Sequence, residues 1–241
     1  MKYTATQVAG MVDHTNLKAF ASTEDIRKLC AEAAANGFKS VCVNPVFVKF
    51  CREQLAGTGV LTCTVISFPL GQTTIAEKVN EAENAVADGC QEFDYVLNVG
   101  KLKEHDYAYI EEEMTALTAV ARKTGTAVKV IFETCYLADE EIAEAARIAS
   151  RVKPDFIKTS TGFGTGGATA AHVDLMHANC GPDVRVKASG GIRSWAEAKA
   201  MLDAGATRLG VSAGMKIISE MKEQESPSVF SGKRFCCFQE F

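Results

Sequence analysis

The sequence has no apolar run that approaches the ~18 residues of a membrane-spanning helix. Residues 1–12 also lack the apolar centre of a secretion signal, so a cytoplasmic protein is expected. Basic residues are not in excess, because 26 lysines and arginines stand against 30 acidic residues and the net charge is −4. Nucleic acid is therefore not expected as a partner, since its phosphate backbone requires a basic surface, and neither is a membrane. One local anion site remains compatible with this charge.

Cysteine and histidine occur without the spacing of a metal or redox site. The nine cysteines form no CxxC pair, and the four histidines form no HxH or HExxH motif. The number of cysteines is odd and they are scattered through regular segments, which indicates free thiols in a reducing cytosol rather than disulfides. We therefore expect neither a metal nor a cofactor.

Short apolar runs alternate with amphipathic stretches, and this alternation predicts eight strands, each followed by a helix. The predicted strands cover residues 12–15, 40–43, 61–66, 93–97, 127–132, 156–158, 184–187 and 208–211. The predicted helices cover residues 22–36, 74–87, 107–122, 139–151, 170–178, 195–204 and 213–221, and another begins near Pro45. A short extra N-terminal helix is predicted over residues 6–11.

Eight strand–helix units in this length predict a single α/β domain, a (β/α)8 TIM barrel over residues 1–222. An open, doubly wound parallel sheet is the alternative, because periodicity alone does not distinguish the two. Residues 223–241 show no period and are predicted to be a C-terminal extension that is disordered or loosely docked.

Three lysines stand within predicted strands, where a lysine is rarely buried without a partner. In TIM barrels the working residues lie at the carboxyl ends of the strands. We assign to those ends Asp13, Cys42, Asn44, Asp94, Asn98, Lys129, Glu133, Lys158 and Lys187. A single such lysine is better explained by an ion pair or by a side chain that extends to solvent than by catalysis. Lys158 and Lys187 together, on adjacent strands, favour catalysis.

The lysine pair favours an amine nucleophile for an electrostatic reason. A lysine attacks a carbonyl only as the neutral amine, and a free lysine with a pKa of ~10.4 is almost wholly charged at pH 7. A shift to ~7 requires ~4.6 kcal/mol, and an ammonium ~4 Å away supplies ~4 kcal/mol at an effective dielectric constant of ~20. Asp94 could then exchange protons with Lys187, and Asp13 could hold a substrate hydroxyl. Either acid could equally be the counter-ion of a buried lysine.

Glycine-rich segments follow the last three predicted strands. They are FIKTSTGFGTGG (156–167), VKASGGIR (186–193) and LGVSAG (209–214). Glycine lets backbone N–H groups approach an anion, and a helix that begins at Ala213 would direct its positive end towards that anion. TIM barrels bind phosphate at the loops after strands seven and eight. The sequence therefore predicts a phosphate ester as substrate, and tight turns alone are the simpler alternative.

Gly162, Gly164 and Gly167 also match the dinucleotide motif GxGxxG. That motif opens a helix directly after an apolar strand, whereas the polar residues 158–161 intervene here. It also follows five strand–helix units instead of lying in the first. A nicotinamide oxidoreductase is therefore the weaker interpretation.

Eight segments of the sequence resemble the deoxyribose-phosphate aldolase family. They are VDHTNL (12–17), SVCVNP (40–45), VISFPLG (65–71), EFDYVLNVG (92–100), VKVIFETC (128–135), FIKTSTGFGTGGAT (156–169), VKASGGIR (186–193) and ATRLGVSAG (206–214). The resemblance extends over residues 8–218, and the two lysine-bearing segments that begin at residues 156 and 186 are highly specific to the family.

The resemblance implies a class I aldolase that reversibly cleaves 2-deoxy-D-ribose 5-phosphate to acetaldehyde and D-glyceraldehyde 3-phosphate, in deoxynucleoside degradation. The Schiff-base lysine of the family corresponds to Lys158, its second lysine to Lys187 and its proton-relay aspartate to Asp94. Lys129 corresponds to a family lysine on strand five. A homodimer is a further expectation that the resemblance carries.

The substrate-binding residues follow from the same resemblance. Asp13 and Thr15 correspond to the family residues that orient the substrate hydroxyls. The phosphate would be bound by Gly162, Gly190, Gly191, Gly210 and Ser212. Ala213 stands where some relatives have a second serine, so only its backbone is available for the phosphate.

Two other functions remain as alternatives to this one. Another Schiff-base barrel aldolase would share the lysine and prefer a different donor. A non-catalytic barrel that binds a sugar phosphate would keep the glycine-rich loops but would not need paired lysines.

Overall fold

The computed structural model describes residues 2–225, which form eight parallel strands and the helices between them. Strands β1 to β8 are Val12–Asn16, Ser40–Val43, Leu61–Ile66, Glu92–Val96, Ala127–Ile131, Phe156–Lys158, Arg185–Ser189 and Ala206–Val211. Neighbouring strands pair in sequence order, and β8 pairs with β1 to close the barrel. This closure confirms the predicted TIM barrel and excludes the open doubly wound sheet.

The helices surround the barrel in the order that the sequence predicts. Helices α1 to α10 are Ala5–Ala9, Thr23–Asn36, Val48–Gln54, Ile75–Ala87, Val99–Lys103, Tyr107–Thr124, Asp139–Val152, Ala170–Asn179, Trp195–Asp203 and Gly214–Glu225. The extra N-terminal helix is α1. Pro45 begins a 3-10 turn, Pro45–Phe47, directly before α3. The sequence did not predict α5, because five residues are too few to show a helical period.

Helix α2 shows how local chemistry sets the bounds of an element. The Ser22 side chain accepts from the backbone N–H of Asp25, and the Asp25 carboxylate accepts in return from the N–H of Ser22, which together form a capping box. Gly37 ends the helix with a φ of 65°, a left-handed conformation that glycine adopts without strain.

Charged residues lie deeper in the barrel than the sequence predicts. Strand β7 continues to Ser189, so Lys187 lies inside the strand, as do Asp13, Asp94 and Lys129 in theirs. The prediction of strand ends is wrong for these four residues. It follows the rule that working residues lie at the carboxyl ends of barrel strands, whereas here opposite charges pair with each other inside the strands. Lys158 does end its strand and therefore lies one level nearer the mouth.

The apolar core lies mainly between the strands and the surrounding helices. Inside the barrel, a small apolar cluster is formed by Leu17, Cys42, Cys63 and Val65. The rest of the interior at this level carries the charged residues. This division places a charged network at the centre of an otherwise apolar fold.

Helix α10 continues to Glu225, beyond the predicted end at Met221 and beyond the predicted domain boundary after residue 222. The Glu225 carboxylate accepts from the backbone N–H of Ala5 at 2.7 Å, which holds the end of α10 against α1. The remainder of the predicted extension, residues 226–241, lies outside the described residues. Within residues 2–225, no helix is both long and apolar enough to cross a membrane.

Candidate active site

Asp94 on β4 is the common acceptor at the centre of the barrel. Its Oδ2 accepts from the Nζ atoms of Lys158 and Lys187, each at 2.8 Å. Its Oδ1 accepts from Lys129 Nζ at 2.7 Å and from Cys63 Sγ at 3.3 Å. Burial alone would raise the pKa of Asp94, but the three ammonium groups outweigh burial and hold the pKa well below its usual range. Asp94 is therefore a carboxylate.

Lys187 is held by a second carboxylate. Its Nζ also donates to Oδ2 of Asp13 on β1. Burial alone would lower the pKa of Lys187, but Asp13 and Asp94 reverse that effect and raise the pKa above its ordinary value. Lys187 is thus an ammonium, as the lysine-pair hypothesis requires. That hypothesis considered only the repulsion between the two lysines. In the structure, a carboxylate oxygen, Asp94 Oδ2, also contacts both Lys158 and Lys187.

A lower layer of charges supports these residues. Lys129 Nζ lies 2.8 Å from Glu92 Oε2, and Arg208 contacts the carboxylates of both Glu92 and Asp13. The Ser40 hydroxyl donates to Asp13 Oδ1 at 2.7 Å. Lys129 is fully buried and lies beneath Asp94. The structure therefore places it against Asp94 and away from the cavity where a substrate would bind.

Glu92 and Arg208 were not identified from the sequence. Both are charged residues inside strands, and each lies two positions from another inward-facing residue, Glu92 from Asp94 and Arg208 from Gly210. Because side chains alternate between the two faces of a strand, Glu92 and Arg208 could have been identified if the face that points into the barrel had been known.

The network holds one more positive group than negative groups. Four cationic side chains, Lys129, Lys158, Lys187 and Arg208, meet the three carboxylates of Asp13, Glu92 and Asp94. Lys129, Lys187 and Arg208 each contact two of these carboxylates, whereas Lys158 contacts one of the three, that of Asp94. Lys158 is therefore the cation that the network holds least strongly.

Lys158 opens into a cavity of about 240 Å³ at the mouth of the barrel. The predicted phosphate residues all line this cavity, and Thr15 lines it as well; they are Gly162, Gly190, Gly191, Gly210 and Ser212. The structure thus brings one lysine of the network and the predicted phosphate residues to a single site. Asp13, Asp94, Lys129 and Lys187 lie beneath this cavity and do not line it.

The cavity has a strong bias towards positive charge. Lys18 and Arg193 line it together with Lys158, and none of its described lining residues is acidic. In a protein whose net charge is −4, this bias is a local property of the cavity. Sequence reasoning missed both residues, although Lys18 directly follows the segment VDHTNL and Arg193 ends VKASGGIR. The charge bias suits an anionic group such as a phosphate.

Close backbone packing explains two of the glycines. A Cβ atom at Gly210 would lie 2.9 Å from Ser189 Cβ and 3.0 Å from Lys187 Cε, so glycine allows β8 to pack on Lys187. A Cβ atom at Gly167 would lie 2.3 Å from the Gly190 carbonyl oxygen, so the loops after β6 and β7 touch through their backbones. Helix α10 begins at Gly214, one residue later than predicted, just after the cavity residue Ser212.

The GxGxxG match does not have the geometry of a dinucleotide site. Its first glycine, Gly162, lies four residues beyond the end of β6. Its last, Gly167, precedes α8 by three residues, and Thr169 caps that helix. The motif therefore does not form the tight strand–turn–helix junction of a nucleotide-binding unit.

One cluster in the described part of the chain has the residue types of a metal site. Single ligand atoms of Cys42, Cys63 and Asp94 lie within 4.8 Å of one another. The Asp94 oxygens already accept from three ammonium groups, and that positive surrounding opposes a metal cation. The geometry therefore favours the lysine network over a metal centre.

Comparison with known proteins agrees with this geometry. Residues 8–220 match the model of the DeoC/LacD family aldolase. A deoxyribose-phosphate aldolase of Caldanaerobacter subterraneus is 51% identical over 218 residues, which cover 90% of this chain and 94% of that protein. One of Lactobacillus acidophilus is 50% identical over 222 residues, which cover 92% of this chain and 94% of that protein.

Solved structures give the same result. A tetrameric deoxyribose phosphate aldolase of Aeropyrum pernix superposes with a TM-score of 0.85 at 32% identity, covering 92% of this chain and 93% of that one. An aldolase named QR15 superposes with a TM-score of 0.84 at 39% identity, covering 90% of this chain and 97% of that one. The resemblance seen in the sequence is confirmed, and the chain belongs to the DeoC/LacD family of aldolases.

Proposed function

We propose that this aldolase reversibly cleaves 2-deoxy-D-ribose 5-phosphate to acetaldehyde and D-glyceraldehyde 3-phosphate through a Schiff base on Lys158. One observation carries the proposal: Lys158 is the least strongly held cation of a network with a surplus positive charge, and it lines a cavity whose described lining residues include no acid. The names of relatives that are about half identical over nearly the whole chain support the substrate.

The surplus charge favours a nucleophilic amine at Lys158. If Lys158 loses its proton, the three remaining cations balance the three carboxylates of the buried network. The neutral amine can then attack the aldehyde carbon C1 of the open-chain sugar. The resulting carbinolamine loses its hydroxyl as water and becomes an iminium, and the Lys187 ammonium, linked to Lys158 through Asp94, can supply the proton.

Carbon–carbon cleavage follows from the positive iminium. Its carbon withdraws the electron pair of the C2–C3 bond, which leaves an enamine on Lys158 and an aldehyde at C3. Asp94 and Lys187, acting through a water molecule, take the proton of the C3 hydroxyl and later return a proton to C2. Hydrolysis of the iminium then releases acetaldehyde. The pKa of Asp94 is strongly lowered, so its carboxylate does not keep a proton. We therefore assign to Asp94 the role of passing the proton on.

The phosphate is assigned to the other side of the cavity. Lys18 and Arg193 supply charge, and Gly162, Gly190, Gly191, Gly210 and Ser212 supply backbone and hydroxyl groups. Anchoring a phosphate there would orient the sugar towards Lys158 and use remote binding energy at the reacting carbon.

Three of the predicted site residues receive more specific roles. Thr15 lines the cavity and its hydroxyl donates to the backbone oxygen of Asp13 at 2.9 Å, so Thr15 is assigned the contact with a substrate hydroxyl. Asp13 lies beneath and acts through Lys187. Lys129 acts through Asp94, which it holds from below.

The setting of the enzyme is part of the proposal. All seven described cysteines are free thiols, which suits a reducing cytoplasm. There the enzyme would consume deoxyribose phosphate from deoxynucleoside degradation. We retain the homodimer as the expected assembly, and light scattering of the purified chain would distinguish it from a monomer or a tetramer.

A product assay tests the proposal. The purified chain is incubated with 2-deoxy-D-ribose 5-phosphate, and acetaldehyde and glyceraldehyde 3-phosphate are measured separately, with fructose 1,6-bisphosphate and other ketose phosphates as a panel. We expect both products in equal amounts, preference for the deoxy sugar, and loss of turnover in Lys158→Ala. Turnover of another sugar phosphate in place of the deoxy sugar would favour the alternative aldolase. Binding without turnover would favour the non-catalytic barrel.

A further inference from the structure

A second cavity, of about 270 Å³, lies beside the Lys158 cavity at the mouth of the barrel. Its walls are mainly apolar, and the side chains of Leu70, Tyr136 and Phe163 that line it are 71%, 47% and 55% exposed. Pro69 and Val99 complete the apolar wall. Large exposed apolar side chains around one cavity are characteristic of a binding surface.

The two cavities share a wall. Thr161 and Phe163 line both of them, and both follow Lys158 in the same loop. The Phe163 ring packs edge-to-face on Phe68 at 5.4 Å between ring centroids, and Phe68 packs on the apolar cluster inside the barrel. The Phe163 ring therefore lies between the two cavities.

Hydrogen bonds hold the backbone of this wall in place. The Glu133 carboxylate accepts from both the N–H and the hydroxyl of Thr161, and the Thr161 hydroxyl accepts from the N–H of Phe163 at 3.0 Å. These hydrogen bonds hold the backbone of the loop, so the separation of the two cavities depends on the Phe163 ring.

The chemistry of the two cavities is complementary. The Lys158 cavity has cations and, among its described lining residues, no acid, whereas the second cavity has the buried Glu133 carboxylate in its wall. A phosphate is repelled by Glu133 and attracted to Lys18 and Arg193. A neutral alkyl chain has the opposite preference, because burial of its apolar surface in the second cavity is favourable. It is not repelled by the Glu133 carboxylate, and it leaves that carboxylate's hydrogen bonds to Thr161 intact.

We propose that the cavity behind Phe163 is an apolar subsite that takes the alkyl chain of an unphosphorylated aldehyde, and that Phe163 limits access to it. The inference rests on the proposed Schiff-base reaction at Lys158. In the synthetic direction, the enamine of acetaldehyde forms a carbon–carbon bond to the carbonyl carbon of the alkyl aldehyde. The carbonyl oxygen takes up a proton, and hydrolysis of the iminium releases the hydroxyaldehyde.

A chain-length series measures the subsite directly. The acceptors propanal, butanal, pentanal and hexanal are each added to acetaldehyde, and kcat/KM for the acceptor is plotted against the number of methylenes. Burial of one methylene corresponds to ~0.8 kcal/mol, or about fourfold in kcat/KM. We expect a slope near fourfold per methylene in Phe163→Ala and a smaller slope in the unmodified chain.

Two further variants make the assignment specific. Phe20→Ala is the matched control, because Phe20 is 81% exposed and lines neither cavity, and it should keep the slope of the unmodified chain. Leu70→Asp places a charge in the subsite, so it should remove the slope both alone and in combination with Phe163→Ala. Leu70 is largely exposed, so this change does not threaten folding.

Cleavage of 2-deoxy-D-ribose 5-phosphate by the unmodified chain is measured in parallel. Absence of that cleavage contradicts the proposed function, independently of the subsite. With cleavage present, equal slopes in the unmodified chain and Phe163→Ala, or a slope that survives Leu70→Asp, would overturn the apolar subsite.

Discussion

At the scale of single residues, the site is organised around one carboxylate. Asp94 accepts hydrogen bonds from three lysines, and each lysine comes from a different strand. Asp13 and Asp94 raise the pKa of Lys187 and keep it charged, whereas Lys158 contacts one carboxylate of the described network. Lysines that look alike in the sequence thus receive different tasks from their partners.

Lys187→Leu tests the role of the second lysine. The change removes the ammonium that is linked to Lys158 through Asp94, and it leaves Asp13 with one cationic partner fewer. We expect the cleavage rate to fall by about 10²- to 10⁴-fold, the range of a lost proton donor. Circular dichroism checks that the variant is folded, and a folded variant with a near-normal rate would refute the role assigned to Lys187.

Asp94→Asn tests the electrostatics of the site through pH. Because the folded pKa of Asp94 is lowered, its stabilisation is present above the unfolded pKa of ~4 and is lost as pH falls towards the folded pKa. We expect the variant to be about 3–5 kcal/mol less stable in urea unfolding near pH 7, since three buried ammoniums lose their shared partner. The difference should shrink below about pH 4. A difference that stays constant down to pH 3 would contradict the assigned charge.

Sequence reasoning identified the residues of this site better than their depth. Lys158 and Lys187 both contact Asp94, but Lys187 and Asp94 were placed at strand ends, and β7 continues two residues beyond Lys187. The pairing of β7 with β8 shifts register between Val186 and Lys187, so the inward face cannot be read from a simple alternation. Lys18 and Arg193 were missed because nothing in an exposed loop marks the direction of a side chain.

At the scale of elements, a buried ion pair fixes the end of β4 close to Asp94. Lys78 on α4 donates to Glu113 on α6 at 2.6 Å and to the Val96 carbonyl oxygen at 2.8 Å. Glu113 in turn accepts from the N–H of Asn98, the residue that caps α5. Burial lowers the pKa of Lys78 and raises that of Glu113, so each charge depends on the other. The pair was not predicted because both residues read as ordinary helix-surface charges.

Lys78→Met should therefore destabilise the fold by leaving the Glu113 carboxylate buried without its partner. We expect a loss of about 3–5 kcal/mol in the free energy of unfolding, measured by urea denaturation. The double variant Lys78→Met/Glu113→Leu, which removes both charges, should recover most of that loss. If the double variant is as unstable as the single one, the cause is lost packing and not an unpaired charge.

At the scale of the whole molecule, a net negative protein concentrates positive charge at one cavity. The overall charge of −4 repels a sugar phosphate at long range, whereas Lys18, Arg193 and Lys158 attract it locally. Sequence periodicity and chain length predicted the eightfold strand–helix pattern and favoured the barrel, and the pairing of β8 with β1 excluded the open sheet. The concentration of charge was not predicted, because it depends on which loops meet at the mouth.

Salt should therefore distinguish phosphorylated from unphosphorylated substrates. Between ~0.05 and ~0.5 M salt, we expect kcat/KM for 2-deoxy-D-ribose 5-phosphate to fall several-fold, because screening weakens the exposed cations. For 2-deoxy-D-ribose, which has no phosphate, kcat/KM should stay nearly constant. Arg193→Gln should reduce the salt dependence, and an equal salt effect on both sugars would place the phosphate elsewhere.

Trapping the covalent intermediate tests whether Lys158 is the nucleophile. Acetaldehyde and sodium borohydride are added to the folded chain, and the modified residue is located by peptide mass spectrometry. We expect a reduced two-carbon group on Lys158 and none on Lys129 or Lys187, whose ammoniums each contact two carboxylates. A folded chain without an adduct, or with the adduct on one of those two lysines, would contradict Lys158 as the nucleophile.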